Sequence, residues 1–306
     1  MATNPMPDRG NGQRVSFFDA IDANKRNSLL LIVFLTVLVF LAISAFALMF
    51  DMGWVGFVMG ALIAVLYALF SYFLGDRALL ALSGARPVSR EENPYLYNLV
   101  EGLAIAAQIP APRVYMMDDA SLNAFATGRD PQHSAIVVTR GLAEKMNRAE
   151  LEGVVAHEMS HIGNYDIRYM LITVVMVGLI GFLGEIMLRS FLWGGSGNRG
   201  GRGGGGMLVL LGLVLAILTP IIALLVKLAI SREREYLADA TAVKLTRYPD
   251  GLRNALIKIR DNYQPTRAAT GTTASLYFAD PIGKKAAGLL ATHPPIEDRI
   301  KRLGGF

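Results

Sequence analysis

The sequence predicts a mainly α-helical integral membrane protein, with four transmembrane helices and a cytoplasmic α+β domain assembled from segments on both sides of the second helical pair. Three observations carry this expectation. Residues 28–50 and 53–75 form two apolar runs without a charge, each longer than the roughly 20 residues that span a bilayer. Residues 169–193 and 207–230 form a second apolar pair. The polar stretches before and after that pair carry histidines and carboxylates at helical spacing, which can meet only on one side of the membrane.

The first pair is a tight helical hairpin, because only Asp51 and Met52 separate its two runs. Its first run is too long for the apolar core of a signal peptide, and no small-residue cleavage site interrupts it. In the second pair, Glu185 and Arg189 interrupt 169–193 at i,i+4 spacing, where they pair or line a protein interior. Run 207–230 carries Lys227 near its end and Pro220 as a tolerable kink. Between them, the Gly-rich segment 194–206 reads as a loop.

Charge sets the orientation. The tail 1–27 holds Arg9, Arg14, Lys25 and Arg26, whereas the first hairpin loop has no Lys or Arg, so the N-terminus is expected in the cytoplasm. The hairpin 28–75 then returns the chain there for 76–168, and the second pair, 169–230, returns it again for 231–306. Arg199 and Arg202, on the far side in this scheme, run mildly against the rule.

Composition narrows the chemistry. The chain has 306 residues, 53% of them apolar, and no cysteine, which excludes disulfides, thiolate catalysis and cysteine-ligated metal. The net charge of +5 is scattered, without an aromatic-interleaved patch, so no nucleic-acid partner is expected and the lipid bilayer accounts for the basic residues. Only four histidines are present: His133, His157, His161 and His293.

His157-Glu158-Met159-Ser160-His161 places two imidazoles on one helical face with a glutamate beside the first, the H-E-x-x-H signature of zinc peptidases. Asn147 and Glu150 form a candidate capping box at the start of that helix, and Gly163-Asn164 a candidate end. Leu151, Val155, Met159 and Ile162 form an apolar stripe, leaving the histidines on a separate face with Gly153 and Val154. A tetrahedral zinc site needs a third protein ligand. Glu235 is the candidate, because Asp239 four residues on shares its face and can accept the N–H of a ligating imidazole. Glu233 would serve a solvated helix face equally well but has no such partner. His133, next to Asp130-Pro131-Gln132, reads as an exposed loop residue.

These residues resemble the HtpX-type heat-shock membrane metalloproteases, gluzincin relatives of the CAAX prenyl protease. The resemblance rests on His157 to His161 with Gly163, Asn164 and Asp166, on Ser231-Arg-x-x-Glu-Tyr-x-Ala-Asp239, and on two further blocks: Ser121-Leu-Asn123-Ala-Phe-Ala-Thr-Gly128 and Thr292-His293-Pro-Pro-Ile-Glu-Asp-Arg299. It covers nearly the whole chain, apart from the polar N-terminal extension and the Gly-rich segment. It implies a zincin-like catalytic domain with one Zn2+ held by His157, His161 and Glu235, and Glu158 as general base and then proton donor. It further implies that Asn123 lies on an edge strand that holds substrate backbone, and that His293 stabilises the tetrahedral oxyanion. The implied setting is the bacterial inner membrane, with membrane-protein or peptide substrates, misfolded ones among them. Two other readings of the residues stand beside it: an intramembrane-cleaving protease, and a non-enzymatic membrane scaffold with a vestigial zinc site. The residues set no oligomeric state.

Overall fold

The computed structural model describes residues 8–9, 13–14, 17–49, 52–194, 232–270, 273–282 and 293–306. In the tail, β1 (Asp8–Arg9) pairs antiparallel with β2 (Gln13–Arg14). Two long helices follow, α1 (Phe17–Met49) and α2 (Gly53–Leu82), joined as the tight hairpin expected. Gly56, Gly60 and Ala64 line the buried face of α2, and Gly56 and Gly60 lie against Ala47, Ile43 and Ser44 of α1, so small side chains let the two backbones approach. The apolar windows Ile21–Ser44 and Gly53–Leu82 are only 33% and 17% buried, which separates them from core helices of a soluble protein. Among the described residues these are the two helices long and apolar enough to cross a membrane.

Both helices outrun their apolar stretches. Helix α1 begins a full three turns before residue 28 because its polar start has a buried role: Asn24 and Ser28 are both enclosed. Helix α2 passes Gly75 and continues to Leu82 because Asp76 pairs with Arg113 at 2.6 Å, while Leu79 and Leu80 pack beneath a sheet.

That sheet has four strands, β3 (Ala85–Pro87), β4 (Arg113–Met117), β5 (Ala124–Gly128) and β6 (Ser134–Thr139), in the order β3-β4-β6-β5. Strands β4 and β6 are parallel, with Val114 opposite Ile136, and the other pairings are antiparallel. Side chains alternate between two buried faces. Val114, Met116, Ala126, Ile136 and Val138 face α3 (Pro94–Ala107) and α5 (Arg148–Gly163). Met117, Phe125, Ala135 and Val137 face the end of α2 and the start of α6 (Asp166–Gly194). The sheet is therefore a partition between the membrane-proximal helices and α5.

Helix α4 (Arg140–Lys145) leads from β6 toward α5, and α6 leaves α5 to pack on the hairpin, with Ile172 and Met176 against Leu31, Leu35 and Val39. Glu185 and Arg189 of α6 are both exposed and pair with each other at 2.5 Å. The expected apolar run 207–230 and the Gly-rich segment from 195 onward lie outside the described residues. Beyond them α7 (Arg232–Thr246) and α8 (Pro249–Asp261) pack on α5, and α9 (Ile296–Leu303) packs on α8.

Candidate metal centre

Helix α5 is fixed at both ends. Asn147 Oδ1 accepts from the Glu150 N–H at 3.0 Å, and the Glu150 carboxylate accepts from the Asn147 N–H at 2.9 Å, closing the capping box. Lys258 of α8 reaches the same carboxylate at 2.6 Å. At the other end Asn164 caps the helix and Tyr165, at φ 61°, turns the chain into α6. The face that carries the histidines is covered as well as the apolar stripe: nearly every residue from Leu151 to Ile162 is buried, because the sheet covers one side and α7 and α8 the other.

His157 and His161 bring their Nε2 atoms to 3.2 Å from each other. Their Nδ1 atoms are engaged elsewhere, His157 with Asp239 Oδ1 at 2.9 Å and His161 with Asp166 Oδ2 at 3.1 Å. Each carboxylate holds a proton on Nδ1, which leaves each Nε2 as a lone-pair acceptor. Glu235, reaching in from α7, adds carboxylate oxygens 3.6 Å from each Nε2. One ligand atom from each of the three residues lies within 4.8 Å of the others, and all three residues are buried. The buried acceptors that converge here need a cation or a proton among them, and the raised His161 imidazole reflects that demand. Nitrogens held roughly 2.0–2.1 Å from a tetrahedral ion lie about 3.3 Å apart, so the imidazole pair has the spacing such an ion needs. The two-nitrogen, one-oxygen donor set suits zinc.

The surroundings complete the site. Arg299 of α9, 2% exposed, donates from Nε and Nη2 to both oxygens of Asp239, at 2.9 and 2.7 Å, and from Nη1 to the Phe278 carbonyl at 3.1 Å. The Phe278 ring stands edge-on to His157 with centroids 5.0 Å apart. On the other histidine, Asp166 uses its second oxygen to accept from Asn24 Nδ2 of α1 at 2.8 Å. His293 Nδ1 lies 3.1 Å from Glu235 Oε2, yet neither ring nitrogen has hydrogen-bond geometry to any described residue. Glu158 is 2% exposed and adjoins the cluster.

Electrostatics follow from this crowding. Burial would push the Glu235 carboxyl up, but His293, His157 and His161 hold it well below its ordinary value. Burial does push the Glu158 carboxyl up, because the nearby imidazoles only partly offset it. Burial would lower His161, but the hydrogen bond to Asp166 and the Glu235 carboxylate push it up to about 9. Asp239, which burial would raise, is lowered by the Arg299 guanidinium and by His157.

The sequence candidates are therefore placed as follows. His157, His161, Glu235, Glu158, Asp239 and His293 are brought together, whereas Glu233 is on the exposed side of α7. Asn123 immediately precedes β5, the outer strand of the sheet, and faces inward: Oδ1 accepts from the Ala279 N–H at 3.1 Å and Nδ2 donates to the Ala279 carbonyl at 3.0 Å. Its side chain is engaged with the protein itself. His133 is half exposed and bonds Asp130 at 2.7 Å. Sequence reasoning missed the roles of Arg299, Asp166 and Asn24. The first two stood in quoted blocks beside recognised residues, and nothing near Asn24 signalled a link to the site.

The profile of peptidase family M48 matches residues 90–305, a span that contains every residue of the cluster except Asn24. The chain belongs to peptidase family M48. It is a metallopeptidase, and family membership implies a metal at the cluster of His157, His161 and Glu235. This M48 peptidase is 48% identical to a protease HtpX homolog of Dictyoglomus thermophilum, over 94% of each chain. It is 45% identical to the homolog of Thermoanaerobacter pseudethanolicus, over 95% of this chain and 98% of the relative. Among solved structures, Ste24p of S. mikatae superposes with a TM-score of 0.50 at 20% identity, covering 87% of this chain. The M48 peptidase spans 62% of the length of that protein, and the likeness is one of fold.

Proposed function

We propose that this M48 peptidase is a zinc-dependent endopeptidase of the bacterial inner membrane. In this reading it is a multi-pass protein that cleaves membrane proteins, misfolded or damaged ones among them, at the cytoplasmic side. The observation that carries the reading is the convergence of two imidazole lone pairs and a buried carboxylate beside a second, proton-accepting carboxyl. Zinc held by His157, His161 and Glu235 would polarise the scissile carbonyl and acidify the attacking water toward a pKa of about 7. Glu158 takes the water proton and passes it to the leaving amine, a task suited to a carboxyl raised by burial. His293, whose Nδ1 faces Glu235 and whose Nε2 has no partner among the described residues, donates to the tetrahedral oxyanion. Asp239 and Asp166 hold the two imidazoles in register. Substrate backbone adds to the edge of β5 beyond Ala124, whose carbonyl already accepts from the Phe278 N–H at 2.8 Å, and Asn123 fixes that covering segment through Ala279.

One feature supports membrane-protein substrates. An apolar cavity of about 610 Å³ lies between α2, α6, residues 268–270 and residues 273–277 and reaches Phe125 of β5, so an apolar segment could approach the edge strand from the membrane side. In this reading residues 169–193 and 207–230 form a second spanning pair, consistent with the direct packing of α7 on α5. Cleavage near the surface is favoured over cleavage within the bilayer, because α5 is enclosed by the sheet, α7 and α8, whereas the apolar faces of α1 and α2 are exposed.

The decisive experiment compares Glu158→Gln with His157→Ala in the purified full chain. Glu158→Gln retains one zinc and loses about a hundredfold or more of its cleavage of an unfolded membrane-protein substrate. His157→Ala loses both zinc and cleavage. Full proteolysis by Glu158→Gln would end the mechanism.

A further inference from the structure

On the opposite side of the hairpin from the apolar cavity, a groove of about 410 Å³ runs between α1 and α2. Leu29, Ile32 and Thr36 form one wall, and Val65, Ala68 and Leu69 the other. Lys25, Arg168 and Tyr72 stand at its mouth. The mouth lies where charge first appears on each element: Lys25 and Arg26 just before the apolar run of α1, Asp76 and Arg77 just after that of α2. The groove is thus continuous with the exposed apolar surface of the two helices, and its mouth is level with the bilayer boundary.

The two cations come from distant parts of the chain and share one aromatic ring. Lys25 Nζ lies 4.6 Å from the Tyr165 centroid and the Arg168 guanidinium 5.0 Å from it. Arg168 is further fixed by its Nε, which donates to the Arg129 carbonyl at 2.5 Å, and by Tyr72, 5.9 Å away. Among the described residues neither cation has a carboxylate partner, and the Arg168 Nη atoms donate no hydrogen bond. Two cations against one ring at an apolar boundary raise the positive potential at the mouth, which favours an anion there.

We propose that this groove binds one anionic phospholipid, with its phosphate between Lys25 and Arg168 and an acyl chain laid along the cleft between α1 and α2. Charge complementarity selects the headgroup, since the free Nη edge of an arginine matches phosphate oxygens bidentately. The apolar walls, open to the lipid-facing surface, select a lipid over a free anion. The site requires membrane insertion and includes none of the metal ligands.

The test uses the full chain reconstituted in equimolar phosphatidylcholine and phosphatidylglycerol, re-extracted in mild detergent, with the retained lipid measured by mass spectrometry. Wild-type protein retains phosphatidylglycerol roughly tenfold over phosphatidylcholine, the order expected of two cations near the surface. Lys25→Gln/Arg168→Gln falls to near parity. Ala68→Phe, which fills the cleft while keeping both cations, loses the retained lipid as well. Zinc content and thermal midpoint report whether each variant is folded, and the wild-type preference stands as a test without them. Retention in proportion to the mixture by wild type, equal preference in a folded double variant, or displacement of the lipid by inorganic phosphate alone would each overturn the assignment.

Discussion

Arg299 carries much of the geometry of the centre without offering a ligand. It is almost wholly enclosed, and its bidentate grip on Asp239 sets the carboxylate that orients His157. Removing one member of a buried ion pair leaves the other charge uncompensated, at a cost of roughly 3–5 kcal/mol. Arg299→Met is therefore expected to lower the thermal midpoint sharply, even in zinc-saturated protein. Asp239→Asn should weaken zinc binding about 10–100-fold, measured by competition with a chelator, because the His157 tautomer loses its support. At this scale the sequence was legible wherever spacing on one helix decides geometry. His157, Glu158 and His161 lie on a single turn, and Glu235 and Asp239 share a face of α7. It was illegible where partners are far apart in the chain. The contact between Arg299 and Asp239, and that between Asn24 and Asp166, are created by tertiary packing.

Helix α5 depends on a close approach that only glycine allows. A Cβ on Gly153 would lie 2.6 Å from the Leu252 backbone nitrogen, so α8 sits directly on the α5 backbone. Gly153→Ala should push the two helices apart, costing about 1–3 kcal/mol in stability and lowering zinc occupancy in parallel, read by thermal shift and metal analysis. The loop after β4 is pinned by Asp119, whose oxygens accept from the N–H groups of Ser121 at 2.8 Å and Arg267 at 2.9 Å. Burial would raise this carboxyl, but the donors from Ser121 and Arg267 hold it below its ordinary value. A depressed carboxyl stabilises the fold above its unfolded pKa and loses that contribution as pH falls through the folded one. The stability difference between wild type and Asp119→Asn should thus be constant above about pH 5 and shrink as pH falls below about 4, followed by thermal midpoint. Strands β4 and β6 coincide with the short apolar runs Val114–Met117 and Ala135–Thr139, separated by a polar break. The small-residue strand β5 was recognisable only by resemblance, because its Ala, Phe, Ala and Thr residues are buried on both faces and give no alternation.

For the whole molecule, the hairpin was readable because two charge-free runs flank a two-residue turn, and its exposed helix faces match that reading. How α1 meets the rest of the chain was not readable, since its polar first turns look like an ordinary tail. Removal of metal is a whole-molecule event, as the ligands come from α5 and α7 and their supports from α1, α6 and α9. Dialysis against a chelator should abolish cleavage and lower the thermal midpoint, and zinc should restore both. With zinc at about a thousand times its dissociation constant, the linked stabilisation is about 4 kcal/mol. Asn24 adds a constraint on how such a protein can be taken apart. It donates to both the Asn164 carbonyl and Asp166, so the polar start of α1 braces the carboxylate behind His161. A fragment that starts after the hairpin would keep every ligand and still be an altered catalyst, because the helix that anchors the protein also tunes its histidine. Anchor and reaction centre are joined by two hydrogen bonds in series, Asn24 to Asp166 and Asp166 to His161.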